Sequence, residues 1–467
     1  MEQSIRFGTS GWRALLAEEF TFAQARRLVT AIAGHVQDQG LGDRPVLVGY
    51  DTRFLMDRFA EEAGRTLVAA GVQALLCDAA VPTPVISHAV LTRGLAGAIN
   101  FTASHNPPAY GGLKFTTHRG LPSPRSVTRD LEQRLGEIGA VDEPPHDLGG
   151  VESVNVRGPY LDRMAELVQL ETIGRSGLKV AFDPRWGTSR GYLDELLRRA
   201  GLPCETLHDS RDVLFGGQTP DCSESNLHEL SVRVTEGGFD LGIATDGDGD
   251  RFAVIDGDGH YVPPNLILAL VADYLADSRG WTQGLGRTVA TTHLLDAIAS
   301  ARGMSLVETP VGFKYLGELL AAEKIYLGAE ESAGLSVVGH VPEKDGILAD
   351  LLVLEMVASR QKTLTELRED LFRRVGALYS RRVDHRLDAG GMESLRARLA
   401  GDPPEKLDGH AVVKVDDTDG LKLILDDGSW MLVRPSGTEP MVRQYVEARS
   451  ETQLARLVEA GRRFVQG

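Results

Sequence analysis

The chain has 467 residues, 42% hydrophobic and 25% charged, which is ordinary globular composition at about three times the size of a ~150-residue domain. Lys and Arg number 50 against 66 Asp and Glu, and the net charge of −16 repels nucleic acid and anionic membrane surfaces. A small anionic ligand therefore needs a locally positive pocket inside an acidic shell.

Three cysteines, Cys77, Cys204 and Cys222, odd in number and widely spaced, make neither a disulfide framework nor a zinc motif and fit a reducing cytoplasm. The first residues, MEQSIRFGTSGW, lack the basic-then-apolar pattern of a secretory signal. The apolar stretches at 266–276 and 347–358 are short and broken by Asp or Glu, so no membrane span is expected.

In chain order, one grammar occurs three times: a short apolar strand, a turn, an amphipathic helix and a second apolar strand. It starts at Val46, at Leu178 and at Arg287. Each copy leads to a further strand that runs into a loop of small and polar residues: INFTASHNPPAYGG, GIATDGDGDRF and YLGAEESAGLS. Three such segments belong either to one long sheet or, as the length favours, to separate domains. In open α/β sheets ligands sit beyond the C-terminal ends of strands, so three such domains would contribute one loop each to a shared cleft. The last hundred residues differ: apolar and polar residues alternate between Asp-Gly turns, and a helix over 452–465 closes the chain. This predicts a small antiparallel α+β domain. With breaks at the Pro- and acid-rich segment 142–150, at the turn-rich 256–265 and beyond the helix through Ser359, the expected domains are 1–150, 151–257, 258–370 and 371–467.

Four loops carry candidate chemistry. Ser104, in Thr102-Ala103-Ser104-His105-Asn106-Pro107 with Lys114 following, reads either as a nucleophile presented on a tight loop or as an ordinary turn former. His105 is a candidate base, although adjacent side chains usually diverge, which favours a hydrogen-bonding role. Asp246, Asp248 and Asp250 read either as a Gly-rich solvated turn or as a cluster whose charges repel unless a divalent cation or basic groups neutralise them. For three at a strand end metal is favoured, with hard oxygen ligands selecting Mg²⁺ or Ca²⁺. An EF-hand is excluded, because Arg251 stands where Gly is required and Gly257 where Glu is required. The nearby Asp256-Gly-Asp258-Gly259 reads as a hairpin turn. Glu330, Glu331 and Ser332 offer acceptors for sugar hydroxyls or, equally, a helix cap. Upstream, Lys314 faces an anion or solvent. Arg434, Ser436, Gly437 and Thr438, with Arg443, form either a phosphate nest or a surface turn with two arginines.

These loops in this order, within FGTSGWRA, TASHNPPAYGGLKF, DGDGDR, TPVGFKYLGELL, GAEESAGL, KDGILADLLVLEM and RPSGTEPMVRQYVEA, resemble the α-D-phosphohexomutases over essentially the whole chain. The resemblance implies three similar α/β domains with mixed sheets around a central cleft plus a smaller C-terminal α+β domain. It implies a phosphoserine at Ser104, Arg13 and Lys114 beside it with Lys114 as general acid/base, and Mg²⁺ on Asp246, Asp248, Asp250 and the Ser104 phosphate. Arg251 and Lys314 would serve the substrate, Glu330 and Ser332 would read sugar hydroxyls, and Arg434, Ser436, Gly437, Thr438 and Arg443 would hold the phosphate that is not transferred. The implied reaction interconverts hexose 1- and 6-phosphates of glucose or mannose through a 1,6-bisphosphate, with glucose 1,6-bisphosphate as activator. Glu331 resembles glucose-type mutases more than phosphoglucosamine mutases. The departures are Ala329 and Ala333 where relatives commonly carry Gly, and Gly249 where Ala is frequent. The alternatives are a phosphoglucosamine mutase or bisphosphate-forming phosphotransferase of the same family, an aspartyl-phosphate phosphatase using Asp246, and a non-catalytic phosphosugar-binding protein.

Overall fold

In the computed structural model, which describes residues 5–8, 11–146, 149–436 and 441–467, the strands gather into four sheets. The first holds β1 (Trp12–Leu15), β2 (Val46–Tyr50), β3 (Ala74–Cys77), β4 (Gly97–Phe101), β5 (Tyr110–Thr117) and β6 (Val151–Val154) in the order β1-β5-β4-β2-β3-β6. The second holds β7 (Val180–Asp183), β8 (Cys204–Thr206), β9 (Leu241–Thr245), β10 (Phe252–Asp256) and β11 (Tyr261–Val262) in the order β11-β10-β9-β7-β8. The third runs β13-β12-β14-β15, from β12 (Gly284–Thr288), β13 (Leu306–Thr309), β14 (Ile325–Glu330) and β15 (Gly334–Val337).

A common frame underlies all three. The strand of each predicted grammar pairs in parallel with the strand after its helix (β2 with β3, β7 with β8, β12 with β13) and with the next strand along (β4, β9, β14). An antiparallel neighbour, β5, β10 or β15, then folds back on that last strand. The central strands β4 and β9 are buried at every position, as sheets covered on both faces require. Each chemistry-bearing loop begins where β4, β9 or β14 ends, so one topology delivers three loops to equivalent places. The sheets run slightly past the expected breaks: β6 joins the first sheet beyond residue 150, and β11 joins the second beyond residue 257. The predicted turn at Asp256–Gly259 is the β10–β11 hairpin.

The apolar stretch near 347–358 is a core helix, Gly346–Arg360, buried on nearly all sides among the first three domains. The Asp345 carboxylate caps it by accepting from Leu348 N. Its first residue must be glycine, because a Cβ on Gly346 would lie 2.2 Å from the Arg251 carbonyl oxygen. Gly346 N also donates to the Gly249 carbonyl at 3.1 Å, which fixes the end of the helix to the aspartate loop. Among the described residues no helix is long and apolar enough to cross a membrane.

The fourth sheet joins β16 (Tyr379–Arg386), β17 (Lys406–Leu407), β18 (His410–Asp416), β19 (Leu421–Leu425), β20 (Trp430–Pro435) and β21 (Met441–Ala448) in the order β16-β21-β20-β19-β18-β17, all antiparallel. The closing helix, Glu451–Gln466, covers this domain's own core. Contact with the third domain is narrower: Trp430, Leu432 and Tyr445 pack on Val289 and Ala290.

Candidate active site

The serine loop is built around a strained residue. Ser104 has φ 52°, a left-handed conformation that costs a non-glycine residue about 1–3 kcal/mol. Buried Arg53 over-determines it. Its Nη2 donates to the carbonyls of Ser104 (2.5 Å) and Asn106 (2.6 Å), its Nη1 to those of Pro107 (2.8 Å) and Tyr110 (3.3 Å), and its Nε to Asp51 Oδ2 (3.1 Å). The same bend turns the adjacent side chain toward the serine. Instead of diverging from its neighbour, His105 brings Nδ1 to 3.2 Å from Ser104 Oγ. Burial, reinforced by Arg251 and Arg13, holds the His105 imidazole well below its usual pKa, so it is neutral. Arg13, on β1 opposite Gly112, donates Nη1 to Asn106 Oδ1 at 2.9 Å.

The aspartate loop leaves the second sheet directly against this serine. Ser104 Oγ donates to Asp246 Oδ2 at 3.2 Å, and Asp246 Oδ1 accepts from the backbone N–H groups of Asp250 and Arg251, both at 3.1 Å. Gly249, with φ 69°, permits this tight turn, and a Cβ there would press on Pro82 and Ser189 at 3.0 Å. Asp246, Asp248 and Asp250 each present a carboxylate oxygen within 4.8 Å of the others. Oδ1 of Asp248 and Oδ1 of Asp250 are buried without hydrogen-bond partners. Burial and the two neighbouring carboxylates push Asp246 well above the ordinary carboxyl range. Three clustered hard oxygen donors, two of them with an orphaned oxygen and the third pushed up by burial and its neighbours' charge, fit a divalent cation such as Mg²⁺.

Two ammonium groups share the remaining charge. Lys114 Nζ lies 2.6 Å from Asp248 Oδ2 and 2.9 Å from Asp250 Oδ2. Burial opposes its charge, but the two aspartates outweigh burial and raise its pKa. Lys344 Nζ stands 3.3 Å from Asp250 Oδ2 and 3.1 Å from Glu343 Oε1. Asp250 is accordingly held far below the carboxylate range: burial works against this, and Lys114 and Lys344 prevail. Arg251 Nε is 3.9 Å from Asp250 Oδ1.

The third loop is a β14–β15 hairpin in which Glu330 pairs with Gly334, so the helix-cap alternative does not hold. Ala333 takes φ 67° there, a left-handed conformation that favours glycine. Buried Glu330 accepts from Ser332 Oγ at 2.9 Å. Glu331 turns to the sheet, accepting from Thr288 Oγ1 at 3.1 Å while its N–H donates to Thr291 Oγ1. Its side chain is therefore engaged with protein, which weakens it as a discriminator between sugars. Lys314 lies at the start of the helix Phe313–Ala321, 5.3 Å over the Tyr315 ring, its pKa lowered by burial and then by Arg125. In the fourth sheet Arg434 and Arg443 stand directly opposite each other on β20 and β21, and Arg434 Nε is 2.9 Å from Asp419 Oδ1. Ser436 N donates to the Met441 carbonyl at 2.8 Å. Gly437 and Thr438 lie outside the described residues.

The sequence reading missed several residues at the site. Thr83, at the start of the helix Thr83–Arg93, donates Oγ1 to Asp248 Oδ2 at 2.6 Å and accepts from Asn100 Nδ2 at 3.1 Å. Asp51 and Arg53 follow the C-terminal end of β2, so the strand-end rule that singled out the three loops also covered them. Lys344 sits in a Glu-Lys-Asp run ahead of a largely apolar helix, a charge placement that had a local signal.

Comparison with known proteins agrees with this geometry. Profiles of the phosphoglucomutase/phosphomannomutase family match in chain order: alpha/beta/alpha domain I over residues 4–141, domain II over 158–259, domain III over 263–375 and the C-terminal domain over 395–463. A phosphoglucomutase/phosphomannomutase of Thermococcus kodakarensis is 30% identical, with 98% of each chain covered. A probable phosphoglucosamine mutase of Methanothermobacter thermautotrophicus is 32% identical, covering 98% of this chain and 97% of the relative. The crystal structure of a putative phosphomannomutase from Thermus thermophilus superposes with a TM-score of 0.88 at 32% identity, covering 100% of both chains. With four matching domains in order and a shared fold throughout, the chain belongs to the phosphoglucomutase/phosphomannomutase family, the α-D-phosphohexomutases, isomerases that move a phosphoryl group within a sugar phosphate.

Proposed function

We propose that the chain interconverts hexose 1-phosphate and hexose 6-phosphate, with glucose or mannose as the sugar, through a phosphoserine at Ser104 and a hexose 1,6-bisphosphate. The observation that carries this reading is the meeting of Ser104 Oγ with Asp246 Oδ2 at 3.2 Å, beside two aspartates bridged by Lys114. Phosphoryl transfer needs positioning and charge neutralisation more than covalent help, and these residues supply both.

Asp246, Asp248 and Asp250 are the residues we assign to hold Mg²⁺, together with an oxygen of phosphorylated Ser104. When bound, Mg²⁺ neutralises charge on the transferring phosphoryl group. A sugar hydroxyl attacks phosphorus and the bond to Ser104 Oγ breaks. Lys114, held as ammonium by Asp248 and Asp250, gives its proton to the departing Oγ and takes the hydroxyl proton in exchange. Arg13 and Arg251 flank the transfer, and neutral His105 hydrogen-bonds Oγ. Glu330 and Ser332 read sugar hydroxyls, Lys314 supports the substrate, and Arg434, Ser436, Gly437, Thr438 and Arg443 clamp the other phosphate. The bisphosphate then reverses end for end, and the second phosphoryl group returns to Ser104. Added glucose 1,6-bisphosphate serves as activator by phosphorylating the serine.

Four domains, broken near 150, 257 and 370, would then surround one phosphosugar in a cytoplasmic enzyme, and three free cysteines support that compartment. The test is conversion of glucose 1-phosphate, mannose 1-phosphate and glucosamine 1-phosphate, each as kcat/KM with bisphosphate present. Glucose or mannose should lead, Ser104→Ala should abolish turnover, and a dominant glucosamine activity would overturn the sugar assignment.

A further inference from the structure

The strand register of the C-terminal domain brings a third arginine to the two expected at the phosphate clamp. Arg382 on β16 stands directly opposite Tyr445 on β21, Asp384 stands opposite Arg443, and Arg443 in turn stands opposite Arg434. Residues directly opposed across an antiparallel pair share a face, as do residues two apart on one strand. Arg382, Asp384, Arg434, Arg443 and Tyr445 therefore share one face. It is the face turned to the third domain, since Tyr445 packs there on Val289 and Ala290. Arg382 lies one pleat repeat, about 7 Å, along the strands from the Arg434–Arg443 pair, which an arginine side chain spans.

The hydrogen bonding of Arg382 leaves one end open. Nε and Nη2 donate to Asp384 Oδ1 (2.8 Å) and Oδ2 (2.7 Å), so Asp384 occupies one edge of the guanidinium and fixes its plane. Nη1 makes no hydrogen bond among the described residues, and the side chain is 39% exposed. An exposed Arg–Asp pair contributes little to stability, about 0–1 kcal/mol, and needs no particular place in the fold. The charge of this one also bears on Arg251 at the aspartate loop and on Glu331 at the sugar loop, although burial and nearer carboxylates set the direction in which each of those groups is shifted. An anchored guanidinium with a free Nη1/Nη2 end is a fork suited to phosphate oxygens.

We propose that Arg382 is a further substrate-binding residue, whose free Nη1/Nη2 end binds the phosphate held between Arg434 and Arg443. The assignment rests on the clamp reading of those two arginines given above. A contact to the phosphate that does not react stabilises ground and transition states alike, so its loss appears in KM rather than kcat.

The experiment compares full-length wild type, Arg382→Met, Arg382→Lys and Arg434→Met, measuring KM and kcat for glucose 1-phosphate and the inhibition constant of inorganic phosphate. For Arg382→Met, KM and the phosphate inhibition constant should both rise about tenfold, the loss of one charge-assisted contact, with kcat changed less than about threefold. Arg382→Lys, which keeps a charge without the fork, should fall between, and it carries the test if the methionine variant folds poorly. If both Arg382 variants keep wild-type constants while Arg434→Met raises them, Arg382 is a surface pair and the proposal fails with the clamp intact. If Arg434→Met is also without effect, the clamp reading itself fails. A rise in KM with no change in phosphate inhibition would place Arg382 on the sugar and overturn the phosphate assignment.

Discussion

Replacing Arg53 with Met tests whether the serine loop is held from behind. The guanidinium is 1% exposed and donates to four loop carbonyls and to Asp51, with the Phe215 ring 5.0 Å from its carbon centre. Met fills much of the volume but leaves the Asp51 carboxylate buried and unpaired, a change that costs about 3–5 kcal/mol. The second consequence is positional. Without those donors Ser104 is free to relax from its left-handed conformation, and a displacement of ~1 Å at the nucleophile lowers kcat by about 100-fold. The double variant Asp51→Asn/Arg53→Met separates the two effects. Removing the orphaned charge should restore much of the stability, read as the urea midpoint, while the carbonyls stay untethered and kcat stays low. A double variant with wild-type kcat would refute the reasoning, since Arg53 would then matter only as the partner of Asp51.

Two further outcomes follow from groups the mechanism uses indirectly. Thr83→Val removes the hydroxyl that orients Asp248 and should raise the Mg²⁺ concentration for half-maximal activity about tenfold, as loss of a supporting contact to a metal ligand does; an unchanged Mg²⁺ titration would show that Thr83 is structural only. His88 is buried against Tyr160, and burial first and His340 second lower its pKa to about 4. The unfolded chain binds that proton near pH 6.5, so stability falls as the pH drops from 6.5 towards 4, by on the order of 3 kcal/mol. His88→Asn should flatten the fall in melting temperature across that interval, and an equal slope in both proteins would contradict it.

Much of this arrangement was legible because strand, helix and loop signals repeat. The three copies of one grammar gave three parallel frames, and the ends of β4, β9 and β14 gave three loops at equivalent positions. Residues that act from a distance in sequence were harder to see. Arg53 reaches the Ser104 carbonyl 51 positions away and Thr83 reaches Asp248 165 positions away, and neither stands in a pattern that names its partner. That the hydrogen bond of His105 goes to the adjacent Ser104 hydroxyl has a local reason, the positive φ of Ser104, which no periodicity reports. Glu331 carried the sugar preference in the sequence, and its engagement with Thr288 became visible only with the third sheet assembled. The net charge excluded polyanions but not a phosphosugar, because Lys114, Lys344, Arg13 and Arg251 gather at one point inside an acidic exterior.

The most direct test of the central claim is to identify the phosphoenzyme bond. Protein incubated with glucose 1,6-bisphosphate and Mg²⁺, digested and sequenced by tandem mass spectrometry, should carry one phosphoryl group on Ser104 that survives hydroxylamine and is lost on adding glucose 6-phosphate. A hydroxylamine-labile group on Asp246, or mutase turnover by Ser104→Ala, would contradict the account.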